Sequence, residues 1–101
     1  MNQYFNVIIN KTTADGKHGA YHGVVSENNV ISISNYNNNG HYTATDFESE
    51  TEAYKATLHI LQNKKELIES NPSFKNSSEI AIEIRCESLH STKVLYSVSI
   101  K

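Results

Sequence analysis

The sequence predicts an α+β domain of element order βββαββ, with a mostly antiparallel sheet of about five strands and one long helix on one face. Three observations predict it. Five short runs either concentrate β-branched and aromatic residues or alternate apolar and polar residues at a period of two. One uninterrupted helix-forming run lies between residues 46 and 71. Only about six residues separate the last two strand-like runs, too few for a crossover helix, so an antiparallel hairpin is expected there.

Taken in order, residues 4–10 place Phe5, Val7 and Ile9 on one parity and Tyr4 and Ile8 on the other. This predicts a central strand buried on both faces. Thr12 to Lys17 then reverses the chain, because Asp15-Gly16 supplies a residue that tolerates positive φ. A second strand is expected over about 19–26 through Ala20, Tyr21, Val24 and Val25, and a third over about 30–34 with Ile31 and Ile33 inward. Residues 35–40, rich in Asn and ending in Gly40, are open between a hairpin tip and a bulge. His41 to Ala44 either continue the third strand or form a short one of their own.

The helix is announced by two overlapping capping boxes, Thr45-x-x-Glu48 and Ser49-x-x-Glu52, so it should start between Asp46 and Glu50. Ala53, Ala56, Thr57, Ile60, Leu61, Leu67 and Ile68 recur at helical spacing. Acid opens the run, Lys64 and Lys65 lie towards its other end, where they complement the helix dipole, and Asn71-Pro72 stops it. After a linker from Ser70 to Ser78, Ile80, Ile82, Ile84 and Cys86 alternate with Ala81, Glu83, Arg85 and Glu87, the pattern of a strand with one core face and one polar face. A last strand runs through Val94, Tyr96, Val98 and Ile100. It is charged only at its ends, Lys93 and Lys101, and lies either inside the sheet or at an edge, where its unpaired backbone groups would suit a dimer mate or a partner strand.

The chain of 101 residues suits a single domain spanning 1–101. No apolar run approaches the roughly 18 residues that span a bilayer, and Met1-Asn2-Gln3 lacks a signal-peptide pattern, so a soluble, cytoplasmic protein is expected. The single cysteine, Cys86, excludes an intrachain disulfide and a thiolate zinc cluster. Nine Lys plus Arg against eleven Asp plus Glu give a net charge of -2, which disfavours generic nucleic-acid binding.

Gly19-Ala20-Tyr21-His22-Gly23-Val24-Val25 and Gly40-His41-Tyr42-Thr43-Ala44-Thr45, followed by Glu52, Ala53 and Ala56 and by Cys86-Glu87-Ser88, resemble in order the second strand, third-strand end, helix start and fourth-strand end of the ribonuclease H family, over roughly residues 4–90. The resemblance implies carboxylates converging on two divalent metal ions that cleave a phosphodiester. The position matching the family's first aspartate is Asn10, a neutral amide, and no acid follows residue 90 for the last one. The expectation is therefore a ribonuclease-H-like scaffold without its activity, with no metal and no cofactor. Asp15 to Tyr21 and Thr45 to Ala53 are also similar to HicB-type antitoxins, which implies that such a scaffold can bind and block a partner protein.

Other residues have ordinary explanations. Glu48, Glu50 and Glu52 stabilise a helix N-terminus by roughly 0.3–1 kcal/mol each. His18 and His22, four apart on a strand, would be about 13 Å apart, too far for one metal. Cys86 shares the apolar parity of Ile80, Ile82 and Ile84 and is expected to be buried and inert. Tyr21, Tyr36, Tyr42, Tyr54 and Tyr96, expected to be exposed, are many for so short a chain and favour a protein partner. The expected function is thus non-catalytic protein binding, as a small inhibitor, antitoxin or immunity-type factor, with Tyr36, Tyr42, Glu48, Glu50 and Tyr96 as the partner-binding residues. The alternatives are a divergent metal-dependent nuclease using Glu52 and Glu87, and a structural homo-oligomer or homodimer built through an edge strand.

Overall fold

The computed structural model describes residues 3–18, 22–27, 30–35 and 45–101. Five strands, β1 (Tyr4–Thr13), β2 (His22–Glu27), β3 (Val30–Asn35), β4 (Ser77–Ser88) and β5 (Ser91–Ser99), form one sheet in the order β3-β2-β1-β4-β5. Every pairing is antiparallel, rather than most of them. β1 is the centre, and Asn6, Val7, Ile8 and Ile9 are buried in succession, as a strand covered on both faces must be. Residues 36–40 of the Asn-rich stretch and His41 to Ala44 lie outside the described residues, as do Gly19 to Tyr21, while Asn35 ends β3.

Between β3 and β4 lie α1 (Glu50–Gln62), α2 (Lys64–Ser70) and the short α3 (Pro72–Lys75). α1 begins where its capping signal places it: Ser49 is the N-cap and its side chain accepts the Glu52 N–H at 3.2 Å. The single long helix, however, is broken at Asn63. Its backbone sits at φ -116° and ψ 17°, and its N–H turns back to the Ile60 carbonyl at 3.1 Å. The Asn63 side-chain amide then donates to the His59 carbonyl at 2.8 Å, replacing the bond its own N–H would have made in a continuous helix. In consequence Lys64 and Lys65 open α2 instead of closing α1, at the end of a helix where the dipole does not favour cations.

The core lies between the helices and the sheet face that carries Val7 and Ile9 of β1, Val24 of β2 and Ile80, Ile82 and Ile84 of β4. Ala53, Ala56 and Ile60 of α1 close it from above, with Phe47, Phe74 and Ile100 at its margins. The small alanines let α1 approach β1 and β4, and the buried Thr57 hydroxyl donates to the Ala53 carbonyl at 3.0 Å. Among the described residues no helix is long and apolar enough to cross a membrane.

Three strand boundaries differ from expectation for one reason: polar residues are held by a ladder. β1 runs on through Lys11 to Thr13 because these pair with Ile80, Glu79 and Ser77, and β4 correspondingly starts inside the expected linker. At the other end Glu87 and Ser88 pair with Thr92 and Ser91, so only Leu89 and His90 connect β4 to β5.

The expected turn forms at Asp15-Gly16, with Gly16 at φ 87° and Thr13 N–H on the Lys17 carbonyl at 2.8 Å. The Thr13 hydroxyl donates to the Asp15 carboxylate, and this bond, followed by the Lys17 N–H, holds Asp15 below its ordinary 3.8. The turn's gain from this carboxylate is complete above that ordinary value and is lost as pH falls through the lower folded one. Thr13→Ala is expected to move the Asp15 midpoint back up in an NMR titration; an unmoved midpoint would assign the effect to the Lys17 N–H.

Residues 45–47 add a feature between β1 and β2. Among the described residues these two strands pair at Ile8 with Gly23 and Ile9 with His22. Beyond that point Phe47 exchanges two backbone hydrogen bonds with Phe5, at 2.9 and 2.8 Å, while Thr45 N–H reaches the Val24 carbonyl at 3.0 Å. The Thr45 hydroxyl also accepts the Ser26 N–H at 2.7 Å. The buried Asn6 amide donates to the Thr45 carbonyl at 3.2 Å and to the Asp46 carboxylate at 3.0 Å, fixing the wedge two residues before the α1 cap.

Candidate functional site

The structure does not bring Glu52 and Glu87 together. Glu52 rises from the first turn of α1, exposed, with Lys55 at 3.7 Å. Glu87 pairs with Tyr4, on the parity of Asn6, Ile8 and Asn10, which is the sheet face turned away from the helices. It accepts from the Thr92 hydroxyl at 2.9 Å and from the Tyr4 phenol at 3.5 Å. Desolvation first, and then the Glu87 and Asp46 carboxylates, push the Tyr4 pKa up.

Asn10 lies on that same helix-free face, in a shallow cavity of about 340 Å³ with Thr12, His18, Glu79, Glu83 and Arg85. Arg85 directs both its Nε and a terminal nitrogen to one oxygen of Glu83, each at 2.9 Å, so the two charges are spent on each other. Asn10 Oδ1 is buried and has no hydrogen-bond partner among the described residues. No three His, Cys, Asp or Glu side chains gather as a metal site among the described residues. Cys86 is half-buried rather than fully buried, because it sits towards the sheet's end, opposite Phe5 and Lys93.

The other edge of the sheet has a different character. β5 is terminal in the strand order of the described residues, so on either side of a bulge at Leu95 alternate N–H and C=O groups point away from β4. Above it, Tyr54 and Leu58 lie one turn apart on the flank of α1, 40% and 54% exposed. The Tyr54 ring tilts against Tyr96 of β5, with centroids 5.6 Å apart and planes at 60°. Val94, also on β5, is 49% exposed, but beyond the bulge it pairs with Arg85 and belongs to the sheet face turned away from α1. Unpaired main chain and uncovered apolar side chains thus adjoin one another.

Of the expected partner-binding residues, Tyr96 belongs to this surface as its half-buried floor. Glu50 opens the α1 stripe that continues through Tyr54 and Leu58, and Glu48 is exposed just before the helix. Tyr36 and Tyr42 lie outside the described residues. Tyr54 is among the exposed tyrosines that the sequence offers for a partner; Leu58 is not singled out there, and its spacing of four from Tyr54, the available signal, does not say which flank the sheet leaves open. No protein-family model, curated protein or solved structure matches the chain.

Proposed function

We propose that this chain is a non-catalytic protein-binding domain, acting as a small inhibitor, antitoxin or immunity-type factor on a ribonuclease-H-like scaffold that has lost its catalytic carboxylates. The observation that carries the reading is the β5 edge with Tyr54 and Leu58 beside it: exposed aromatic and aliphatic side chains next to unsatisfied backbone suit a protein surface better than a small polar substrate. The separation of Glu52 and Glu87 onto different sides of the sheet supports it by removing the carboxylate pair that phosphodiester cleavage through two metals would use.

Two measurements test the reading. Cleavage of RNA–DNA hybrid, single-stranded RNA and duplex DNA is expected to be absent in magnesium or manganese, for the natural sequence and for Glu52→Gln alike; metal-dependent cleavage abolished by that substitution would make the protein an enzyme. Cross-linking capture from the source cell's lysate is expected to recover one protein in near-equal amount, and to lose it in the doubly substituted Tyr54→Ala, Leu58→Ala chain while keeping it in Glu52→Gln. Equal recovery by both variants would detach the function from this surface, and a fixed assembly of this chain alone would make it a structural homo-oligomer.

A further inference from the structure

We infer that the exposed Tyr54–Leu58 flank of α1 and the outer edge of β5 together take an extended segment of another protein as a sixth strand, with large apolar side chains towards α1 and an acid where it passes Lys93. The inference rests on the protein-binding reading above and specifies its ligand.

The geometry selects the kind of side chain. α1 packs above β1 and β4, and neighbouring strands are about 4.8 Å apart, so a strand added beyond β5 would run about 12 Å to the side of the α1 axis. The helix with its side chains fills about 5–6 Å of that. Bridging the remainder takes a leucine, methionine or aromatic residue at alternate positions, leaning on Tyr54 and Leu58 above Tyr96 and Val98. Small or polar residues would leave the helix flank wet.

The same spacing argues against a second copy as the occupant. Two copies joined antiparallel through β5 would hold their α1 axes about four strand spacings apart, roughly 19 Å, where packed helices need about 8–10 Å. The two helices would therefore not pack on each other. Charge points the same way. Residues 89–101 contain Lys93 and Lys101 and no acid. Lys101 turns inward, its ammonium bonded to the carbonyls of Phe74 at 3.2 Å and Lys75 at 2.6 Å, which leaves the exposed Lys93 as the charge presented along the edge. A second copy brings the same lysines, whereas a carboxylate opposite Lys93 gains a cross-strand pair.

The test is selection from a displayed library of random nine-residue peptides against the folded chain, followed by hydrogen exchange with a synthetic copy of the peptide selected. Enrichment of alternating apolar residues with one Asp or Glu is expected, together with slowed exchange at the β5 amides that face away from β4. Leu58→Glu should weaken that peptide about tenfold or more, and Lys93→Glu should weaken it several-fold and turn the selection towards basic peptides. Both side chains are exposed, so the fold should tolerate either change. Enriched peptides with no alternation, protection confined to other strands, or a concentration-dependent dimer whose β5 amides are already protected would each overturn the inference. So would a selection that yields nothing. If lysate capture still depends on Tyr54 and Leu58 in that case, the protein-binding reading stands without the added strand; if capture fails as well, both fall.

Discussion

Phe74→Ala is expected to lower the unfolding free energy by roughly 3–5 kcal/mol, a large share of the roughly 5–15 kcal/mol typical of a domain this size. Phe74 is 0% exposed although it sits in the shortest helix, α3. It packs in the cluster formed by β4, α1 and Ile100, and its carbonyl receives the Lys101 ammonium. One side chain therefore joins the helical layer, the start of β4 and the C-terminal residues. Truncating it removes apolar surface from the core and leaves a cavity that the one-residue junction between α3 and β4, Asn76, has little freedom to close. Urea unfolding followed by far-UV circular dichroism measures the loss. Phe74→Leu should recover more than half of it, and Leu89→Ala, at the exposed hairpin tip, should change stability by less than about 0.5 kcal/mol. A loss below about 1 kcal/mol in Phe74→Ala would mean that α3 is not part of the cooperative core.

How much of this was legible in the sequence depends on how local the determining interaction is. Alternation in Ile80, Ile82 and Ile84 marks a half-buried strand because period two needs no knowledge of the neighbours, and the Ser49 cap and the Asp15-Gly16 turn are likewise settled within four residues. The break at Asn63 was not legible. Helix formers lie on both sides, and what stabilises the break is one side-chain bond to His59 that competes nearly evenly with a continued helix. Thr12 and Thr13 read as turn because they are polar, yet ladder partners in β4 hold them extended. The candidate surface was half legible. Tyr96 and the edge option for the last strand followed from the charge pattern, while the contribution of Tyr54 and Leu58 depends on α1 lying over β1 and β4 rather than over β5.

The wedge of residues 45–47 was wholly invisible, since it joins residues about 40 apart through an asparagine in an otherwise apolar strand. Its position gives it leverage on the site. Phe47 is tied to β1 and Ser49 caps α1, so the direction in which α1 leaves the sheet, and with it the position of Tyr54 over β5, is set by how firmly this segment is held.

Asn6→Asp is the sharpest probe of that hold. The replacement keeps the shape but changes the donor into an acceptor facing two acceptors, the Thr45 carbonyl and the Asp46 carboxylate, in a site where the native residue is 2% exposed. At neutral pH a loss of roughly 3–5 kcal/mol is expected, from like charge and an unsatisfied buried group together. Burial and the neighbouring carboxylate raise the folded-state pKa of the new acid above its unfolded value of about 3.9. The sign follows: folding takes up a proton, so the variant approaches the natural sequence below the unfolded value, where the protonated acid again donates a hydrogen bond, and falls away as pH rises through the raised folded value. The apparent midpoint belongs to the pair with Asp46 rather than to one residue. Urea unfolding of both chains between pH 3 and 8 reads this directly. Asn6→Ala should instead lose about 1–3 kcal/mol at every pH, and adding Asp46→Asn to Asn6→Asp should restore a donor and most of the stability at pH 7. If Asn6→Asp tracked the natural sequence across the whole range, the wedge would be held by its backbone bonds to Phe5 and Val24 alone, and the orientation of α1 would have to be attributed to the Ala53 and Ala56 contacts beneath it.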